Sequence, residues 1–315
     1  TDTDPNTSWC GGSVGIILFF LELFDVTGET SYFSWAKGGT DWLVNQAEDG
    51  GNGTLKWTKY RGTNDYSDSY CHGNTSVVHI LYEMGKRTGD PLYLDYARKG
   101  AKWDELNAVT VQENCLRWTH YGYLDTGLLT GTAGVGNALA LFYQYDPDPV
   151  FLEYARKAAY YLMSVAEYPV FGQAKWLNYL GPYDSQYGNQ WHETGWYSGA
   201  VGIGLFFLNL GRIHPPPPPQ NQPPFLDPIG PKKVKENEKL EFQVSGLDPD
   251  GDALVFLCGQ LPPGAEFRQR VFSWTPGYGQ GGKYRTYFLL TDGYHWNGEE
   301  VEIEVVKVKK SLIRK

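Results

Sequence analysis

The chain has 315 residues, 16% of them aromatic, and a formal net charge of −9 at pH 7. Residues 225–315 carry 13 basic and 13 acidic side chains, so the excess negative charge lies in the part before them, with 14 basic and 23 acidic. An acidic first part argues against binding to nucleic acid or to an anionic membrane surface. No apolar run is long enough to span a membrane, and the length predicts two domains.

Four copies of a short motif divide the first 214 residues. They align on Gly12, Gly73, Gly131 and Gly199, at intervals of 61, 58 and 68 residues. Each motif opens an apolar run that predicts a buried inner helix. One such motif alone would indicate close helix packing, whereas four copies in phase predict a repeated structure.

Three of the apolar runs are followed by a turn with Gly or Pro and then by a second segment with a period near 3.6. In the second copy, six residues are spaced for one helix face: Tyr93, Tyr96, Ala97, Gly100, Ala101 and Leu106. The third copy repeats that spacing with Phe151, Tyr154, Ala155, Ala158, Ala159 and Leu162. This pattern predicts amphipathic outer helices. Helical hairpins at a fixed interval predict an α/α toroid over residues 1–214.

Long loops rich in aromatic residues lead from each outer helix to the next motif. They contain Trp57, Trp118 and Trp176, and we expect them to collect at one end of the toroid with the motif residues. Several loop residues are candidates for a catalytic acid or base, and the alternative for each is an ordinary loop hydrogen bond. These candidates are His120, His192, Asp65, Asp68 and Asp184.

Two cysteines occupy the same place in the first two copies. Cys10 and Cys71 both stand two residues before the motif glycine, and His72 follows Cys71 directly. If the repeat is structural, two sulfurs and an imidazole meet, which predicts a zinc site. The alternative is a disulfide between neighbouring helices in an oxidising compartment. Cys115 and Cys258 are predicted to be buried thiols.

The segments Trp9-Cys10-Gly11-Gly12 and Cys71-His72-Gly73 resemble the motifs of the lanthionine synthetase C family, and the resemblance extends over residues 1–214. It implies an α/α toroid with zinc held by Cys10, Cys71 and His72. It also implies a peptide or small-molecule thiol that takes the open zinc position as a thiolate. The family usually has Tyr where Gly11 stands, and its catalytic His and Asp lie upstream of the first motif. The catalytic set is therefore incomplete here, which leaves His192 and His120 as candidates for proton transfer.

Too few helices are predicted before residue 214 to close a toroid, and an open arc would expose apolar surface. We therefore expect either a fragment of a longer protein or a ring that another copy or a partner completes. Two further functions fit this architecture. One is a carbohydrate-binding or carbohydrate-processing toroid with the loop tryptophans, including Trp191, as platforms for a glycan. The other is a structural surface or filament subunit.

Residues 215–224 are predicted to be a polyproline linker. From 225 to 315 the period changes to two, which predicts a β-sandwich. The runs 248–252 and 272–276 resemble those of cadherin-like, immunoglobulin-fold surface modules. Asp248, Asp250 and Asp252 would suit calcium, and the alternative is a solvated turn. The module, with sequons at 6, 52 and 74, predicts an extracellular or cell-surface glycoprotein.

Overall fold

The computed structural model describes residues 6–60, 63, 64, 66–120, 123–167, 174–176, 199–213 and 218–308. The chain divides into two compact units. The first comprises residues 1–111, 115–162 and 175–214, and the second comprises 112–114, 163–174 and 215–315. The first unit is mainly helical and the second is built mainly of strands. The predicted order, a helical region followed by a β-rich region, is confirmed.

The described part of the chain contains seven helices, which are α1 (Ser13–Thr27), α2 (Thr30–Val44), α3 (Asn74–Thr88), α4 (Pro91–Leu106), α5 (Thr132–Tyr145), α6 (Pro149–Val165) and α7 (Ala200–Ile213). Short antiparallel hairpins occupy the connections that were expected to be plain loops. Their strands are β1 (Glu48–Gly51), β2 (Thr54–Lys56), β3 (Val109–Gln112), β4 (Cys115–Arg117), β5 (Thr119–His120) and β6 (Tyr123–Leu124).

The inner helices α1, α3 and α5 each begin directly after a motif glycine, Gly12, Gly73 and Gly131. The backbone of these glycines is extended, a conformation open to any residue, so conformational freedom does not explain them. The reason is space. A Cβ atom on Gly73 would collide with the carbonyl of Ser67, and a Cβ on Gly131 with the carbonyl of Asp125. The motif therefore lets the incoming chain cross closely over the start of each inner helix.

Glycine has a different role where α1 and α3 end. Gly28 and Gly89 stand just after these helices with φ values of 71° and 70°, the left-handed conformation that closes a helix. After Gly89, the Asp90 side chain accepts the Leu92 N–H at 2.9 Å and Pro91 takes the first helical position. These signals fold α1 with α2, and α3 with α4, into tight hairpins.

The outer helices pack as the sequence pattern predicts. In α4 the residues Tyr93, Ala97, Gly100 and Ala101 are buried, although Leu106 is 55% exposed. In α6 the predicted face is buried at Phe151, Ala155, Ala158, Ala159 and Leu162. The sequence pattern did not predict that Asp104 of α4 would also be fully buried.

The inner helices differ in how well they are covered. Most of α3 and α5 is buried, whereas α1 buries a single stripe formed by Val14, Ile17 and Leu21. Ile16 and Phe19 are 58% and 59% exposed. The expectation that every inner helix is buried all round is therefore wrong for α1, and also for α7, where Val201 and Leu208 are 57% and 63% exposed. Among the described elements, α1 packs mainly against α2 and α3, while α3 also packs against α4 and α5.

None of the helices in the described ranges combines the length and the apolar character needed to cross a membrane. The longest, α6, has 17 residues.

The second unit contains nine described strands, which are β7 (Phe225–Leu226), β8 (Lys232–Lys235), β9 (Leu240–Gln243), β10 (Gly246–Leu247), β11 (Val255–Gly259), β12 (Glu266–Arg268), β13 (Val271–Trp274), β14 (Gly282–Thr291) and β15 (Trp296–Val306). A four-stranded sheet has the order β11-β14-β15-β8, and a three-stranded sheet has the order β12-β13-β9. Both sheets contribute to one core, which includes Phe272, Trp274, Phe288 and Ile303.

Candidate metal centre

The turns that precede the inner helices are hydrogen-bonded to one another. The backbone N–H groups of Trp9 and Cys10 donate to the carbonyl of Cys71, at 3.0 and 3.2 Å. The N–H of Cys71 donates in turn to the carbonyl of Leu129, at 2.7 Å. Cys10, Cys71 and Leu129 hold the same position in their repeats, two residues before the motif glycine. The register of the repeat therefore brings equivalent positions of successive copies together.

This stacking produces a group of two cysteines and a histidine. One ligand atom each from Cys10, Cys71 and His72 lies within 4.8 Å of the others. Cys71 Sγ lies 3.5 Å from His72 Nε2, and the two cysteine Cα atoms are 5.3 Å apart. The two sulfurs are at disulfide-bonding distance. Cys71 is buried and Cys10 is exposed, so the group opens to solvent on the side of Cys10.

A buried polar cluster anchors the start of α3, directly behind His72. The Asn74 side-chain amide donates to Asp104 Oδ1 and to the carbonyl of Gly100, both at 3.0 Å. The hydroxyl of Thr75 lies 3.0 Å from Asp104 Oδ2 and also contacts the carbonyl of Asp68. Asn74, Thr75 and Asp104 have no exposed surface. The cluster therefore fixes the turn that carries the cysteine and histidine onto α4.

Asp68, one of the predicted acid or base candidates, lies in this cluster and is 7% exposed. Burial raises the pKa of Asp68 to about 7. Burial, and next the neighbouring Asp68 carboxylate, raise the pKa of Asp104 well above its usual range. The site thus favours a protonated carboxyl group close in sequence to Cys71.

Another polar chain starts at Tyr70, the residue before Cys71. The Tyr70 hydroxyl and His79 Nδ1 are 2.7 Å apart, and the Tyr70 ring lies 6.2 Å from that of Trp9. Burial lowers the pKa of His79, so its neutral form is favoured. His79 was not predicted as a site residue, because it lies inside an apolar helical run.

Four of the predicted proton-transfer candidates lie where the structure gives no side-chain description. These are His120, whose backbone alone is described, and His192, Asp65 and Asp184, which lie outside the described residues. Their roles remain predictions.

The loop tryptophans do not form a platform for sugars. Trp57, Trp118 and Trp176 are 1%, 2% and 9% exposed. Each indole N–H donates to the backbone carbonyl 14 residues earlier, at the end of an outer helix. The prediction that they bind a glycan is wrong for these three side chains, because their rings are buried against the ends of the outer helices. Trp191 lies outside the described residues.

The aspartates of the second unit lie close together, with carboxylate oxygens of Asp248, Asp250 and Asp252 within 4.8 Å of one another. Internal hydrogen bonds account for much of the cluster. Asp248 Oδ1 accepts the N–H groups of Asp250 and Asp252, and both oxygens of Asp250 accept from Gln222. Among the described residues, Asp248 Oδ2 is buried without a hydrogen-bond partner. Calcium takes six to eight oxygen ligands, and three carboxylates in a hydrogen-bonded turn do not by themselves establish a calcium site.

The structure also bears on the sequon at Asn74 and on the two remaining cysteines. Asn74 cannot carry a glycan in this fold, because its side chain is fully buried and both its amide hydrogens are in use. Cys115 and Cys258 are buried as predicted, at 0% and 1% exposure.

The lanthionine synthetase C-like protein family model matches residues 1–154, which include all three residues of the cysteine–histidine group. No curated protein sequence matches the chain.

Solved structures give weaker similarities. Nisin cyclase has a TM-score of 0.48 at 18% identity, over 67% of this chain and 54% of that one. An inactive α-1,6-mannanase variant from Salegentibacter, in complex with α-1,6-mannotriose, has a TM-score of 0.39 at 17% identity, over 52% and 49%. An endo-fucoidan hydrolase of glycoside hydrolase family 107 has a TM-score of 0.26 at 20% identity, over 29% and 15%. The chain thus spans well under two thirds of each, and scores below 0.5 decide no question of function.

Proposed function

We propose that residues 1–214 form part of a lanthionine synthetase C-like α/α toroid in which Cys10, Cys71 and His72 bind zinc when the thiols are reduced. The observation that carries this proposal is the meeting of the three side chains at one point. The family model, which covers all three residues, supports it.

The donor set suits zinc. Two thiolates and one imidazole leave a fourth position open, as catalytic zinc sites do. Zn–S bonds of about 2.3 Å and Zn–N bonds of about 2.0–2.1 Å at a tetrahedral angle put sulfur and nitrogen about 3.5 Å apart. Cys71 Sγ and His72 Nε2 have that separation. The paired sulfurs must be reduced and move apart, and the exposed side chain of Cys10 has room to do so.

Bound zinc would lower the pKa of a substrate thiol, supplying a thiolate near neutral pH. We infer that the substrate is a peptide or small-molecule thiol that approaches from the open side at Cys10. Tyr70, the residue before Cys71, pairs its hydroxyl with the neutral imidazole of His79. Proton transfer by His120 or His192 belongs to the same proposal.

The redox state of the compartment decides whether Cys10 and Cys71 bind zinc or form a disulfide, because the same two sulfurs cannot do both. We propose an extracellular or cell-surface location, which the resemblance of residues 225–315 to immunoglobulin-fold surface modules supports. Disulfides persist in such surroundings, so the oxidised pair is the competing state there. Intact-mass measurement on protein isolated without reductant distinguishes them, since the disulfide form lacks two hydrogen atoms.

The test is metal analysis of reduced, repurified protein with zinc added under anaerobic conditions. We expect one zinc per chain, and a loss of affinity in Cys10→Ser, Cys71→Ser and His72→Ala larger than the roughly 10–100-fold typical of outer partners. Cys258→Ala is the matched control, because that thiol lies in the second unit, and it should bind zinc normally. Absence of zinc from the reduced wild type would remove the proposal.

A glycan ligand is the alternative, and similarity to the mannanase at a TM-score of 0.39 does not decide it. Calorimetry with α-1,6-mannooligosaccharides, set beside titration with thiol peptides, separates the two. Saturable glycan binding that survives Cys71→Ser would favour the carbohydrate alternative. Self-association without any ligand would favour a structural subunit, or a second copy that completes the toroid.

A further inference from the structure

The second hairpin differs from its neighbours at one buried position. The loop tryptophans Trp57, Trp118 and Trp176 each donate their indole N–H to the carbonyl 14 residues earlier. Those carbonyls belong to Leu43, Asp104 and Leu162, which are therefore equivalent. All three side chains have 0% exposure. Two copies thus bury a leucine where the copy with Cys71 and His72 buries an acid.

The partners of Asp104 are also specific to that copy. At the position of Asn74 the other two copies have Ser13 and Thr132, and at the position of Thr75 they have Val14 and Ala133. The polar network therefore changed as a set, on both sides of the contact between α3 and α4. A buried acid normally costs stability relative to an apolar side chain of similar volume. Its presence in one copy alone points to a role tied to that copy.

The hydrogen bonds around Thr75 bear on the protonation state of Asp104. The Thr75 hydroxyl has one hydrogen but two oxygen neighbours, the carbonyl of Asp68 and Asp104 Oδ2. Thr75 can donate its one hydrogen either to Asp104 Oδ2 or to the Asp68 carbonyl. A carbonyl can only accept, so when the hydrogen goes to Asp68 the contact with Asp104 Oδ2 is a hydrogen bond only if Asp104 is a neutral carboxylic acid. Its other oxygen, Oδ1, accepts from Asn74.

Burial is the main cause that raises the pKa of Asp104, and the neighbouring Asp68 and Glu105 carboxylates raise it further. The hydrogen bonds from Asn74 and Thr75 lower this pKa, but the net direction favours the protonated form. Glu105 is itself paired with Lys102 at 2.5 Å. Within the described part of the chain, the hydrogen-bond partners of the Asp104 carboxyl are the uncharged side chains of Asn74 and Thr75.

We propose that Asp104 is a positioning residue for the cysteine–histidine group. As a neutral acid it accepts from Asn74 and donates to Thr75, and so locks the turn holding Cys71 and His72 onto α4. This inference rests on the proposed zinc function for its purpose, but its geometry and protonation state can be tested without metal.

Two substitutions separate the possibilities. Asp104→Asn keeps one acceptor and one donor in the same shape, so we expect zinc affinity within about threefold of the wild type. Asp104→Leu installs the residue of the neighbouring copies, and we expect a loss of about 10–100-fold, the range for partners that orient a ligand. Equal losses in both variants would mean that the acid is ionised. Unchanged affinity in Asp104→Leu would refute a positioning role.

Metal-free measurements keep the test independent of the proposed function. The equilibrium between the reduced pair and the Cys10–Cys71 disulfide in glutathione buffers reports how well the turn is held. It should be unchanged in Asp104→Asn and shifted toward the dithiol in Asp104→Leu. Infrared difference spectra should show a protonated carboxyl band at neutral pH that Asp104→Asn removes. Absence of this band overturns the inference even if the protein binds zinc. If both metal-free results are as expected but the protein does not bind zinc, only the proposed function is overturned.

Thr75→Val serves if Asp104→Leu does not fold. It removes the hydroxyl and keeps the shape of the side chain. As in Asp104→Leu, we expect a lower zinc affinity and a shift of the redox equilibrium toward the dithiol. A Thr75→Val protein with wild-type values for both would contradict the proposal.

Discussion

The first and second hairpins follow one backbone plan and differ in what surrounds them. Helices α1 and α3 each have 15 residues, begin after an extended glycine and end at a left-handed glycine. Yet α3 buries ten residues and α1 buries three. Local signals therefore set the start, length and end of a helix, while its neighbours determine how much of it is covered.

The largest expected difference between the hairpins comes from truncating a side chain on each inner helix. Leu81→Ala in α3 removes a fully buried side chain and should lower the free energy of unfolding by about 2–5 kcal/mol. Phe19→Ala in α1 removes a side chain that is 59% exposed and should change it by about 0.5 kcal/mol or less. Urea denaturation measures both.

A cost for Phe19→Ala as large as that for Leu81→Ala would show that α1 is covered in solution. Repeating the denaturation at several protein concentrations then tests whether another copy covers it, since an associated state becomes more stable with concentration.

The second-largest effect on the free energy of unfolding should come from the motif glycine. Gly73→Ala places a methyl group against the backbone carbonyl of Ser67 and should cost about 1–3 kcal/mol. The control is Gly38→Ala, on the exposed face of α2, where an added Cβ atom would meet no atom within 4 Å outside its own helix. This change should raise the free energy of unfolding by up to about 1 kcal/mol. Thermal denaturation separates the two signs, and stabilisation by Gly73→Ala would refute the close crossing.

The buried acids should make the second hairpin sensitive to pH. The pKa of Asp68 is about 7 in the folded protein, above its value of about 3.9 in an unfolded chain. The folded state therefore holds this proton more tightly, and stability is lost as pH rises from about 4 toward 7. Asp68→Asn should remove about 1–3 kcal/mol of that loss between about pH 5 and pH 8. Denaturation at about pH 5 and pH 8 measures it, and an unchanged difference contradicts the raised pKa.

The smallest expected effect is common to both hairpins. Trp57→Phe and Trp118→Phe each remove an indole N–H that donates to a backbone carbonyl at 2.7 Å. Each should cost about 1 kcal/mol, because one buried carbonyl loses its partner. Equal losses in denaturant titrations would confirm the shared architecture, whereas a null effect in one variant would break it.

Much of the fold follows from local patterns. Helical period, turn glycines and the fixed interval predicted the hairpins, their faces and the meeting of Cys10, Cys71 and His72. The β-hairpins between them were missed, although Asn52 and Asn114 stand at their turns with positive φ values of 54° and 63°. Their strands are three or four residues long, too short for a clear alternation.

The finer parts of the site depend on contacts between distant residues. Asp104 lies in an amphipathic helix where an acid ordinarily faces water, and its contacts with Asn74 and Thr75 of α3 and with Trp118 come from distant parts of the chain. The signal that could have revealed it is the alignment of each loop tryptophan with the residue 14 positions earlier. His79 gave no comparable signal. Whether the sulfurs are joined or hold a metal depends on redox conditions, which no pattern of residues encodes.

The hydrogen bonds that link Cys10 to Cys71 and Cys71 to Leu129 have a consequence for how such a site can arise. The two junctions in the described part of the chain present the same pair of facing positions, so a single codon change can supply one half of a new bonding pair. Leu129→Cys, for example, would set a third thiol beside Cys71 without any rearrangement of the chain. The scaffold thus repeats structurally equivalent positions, and a functional residue at one of them does not constrain the residues at the others.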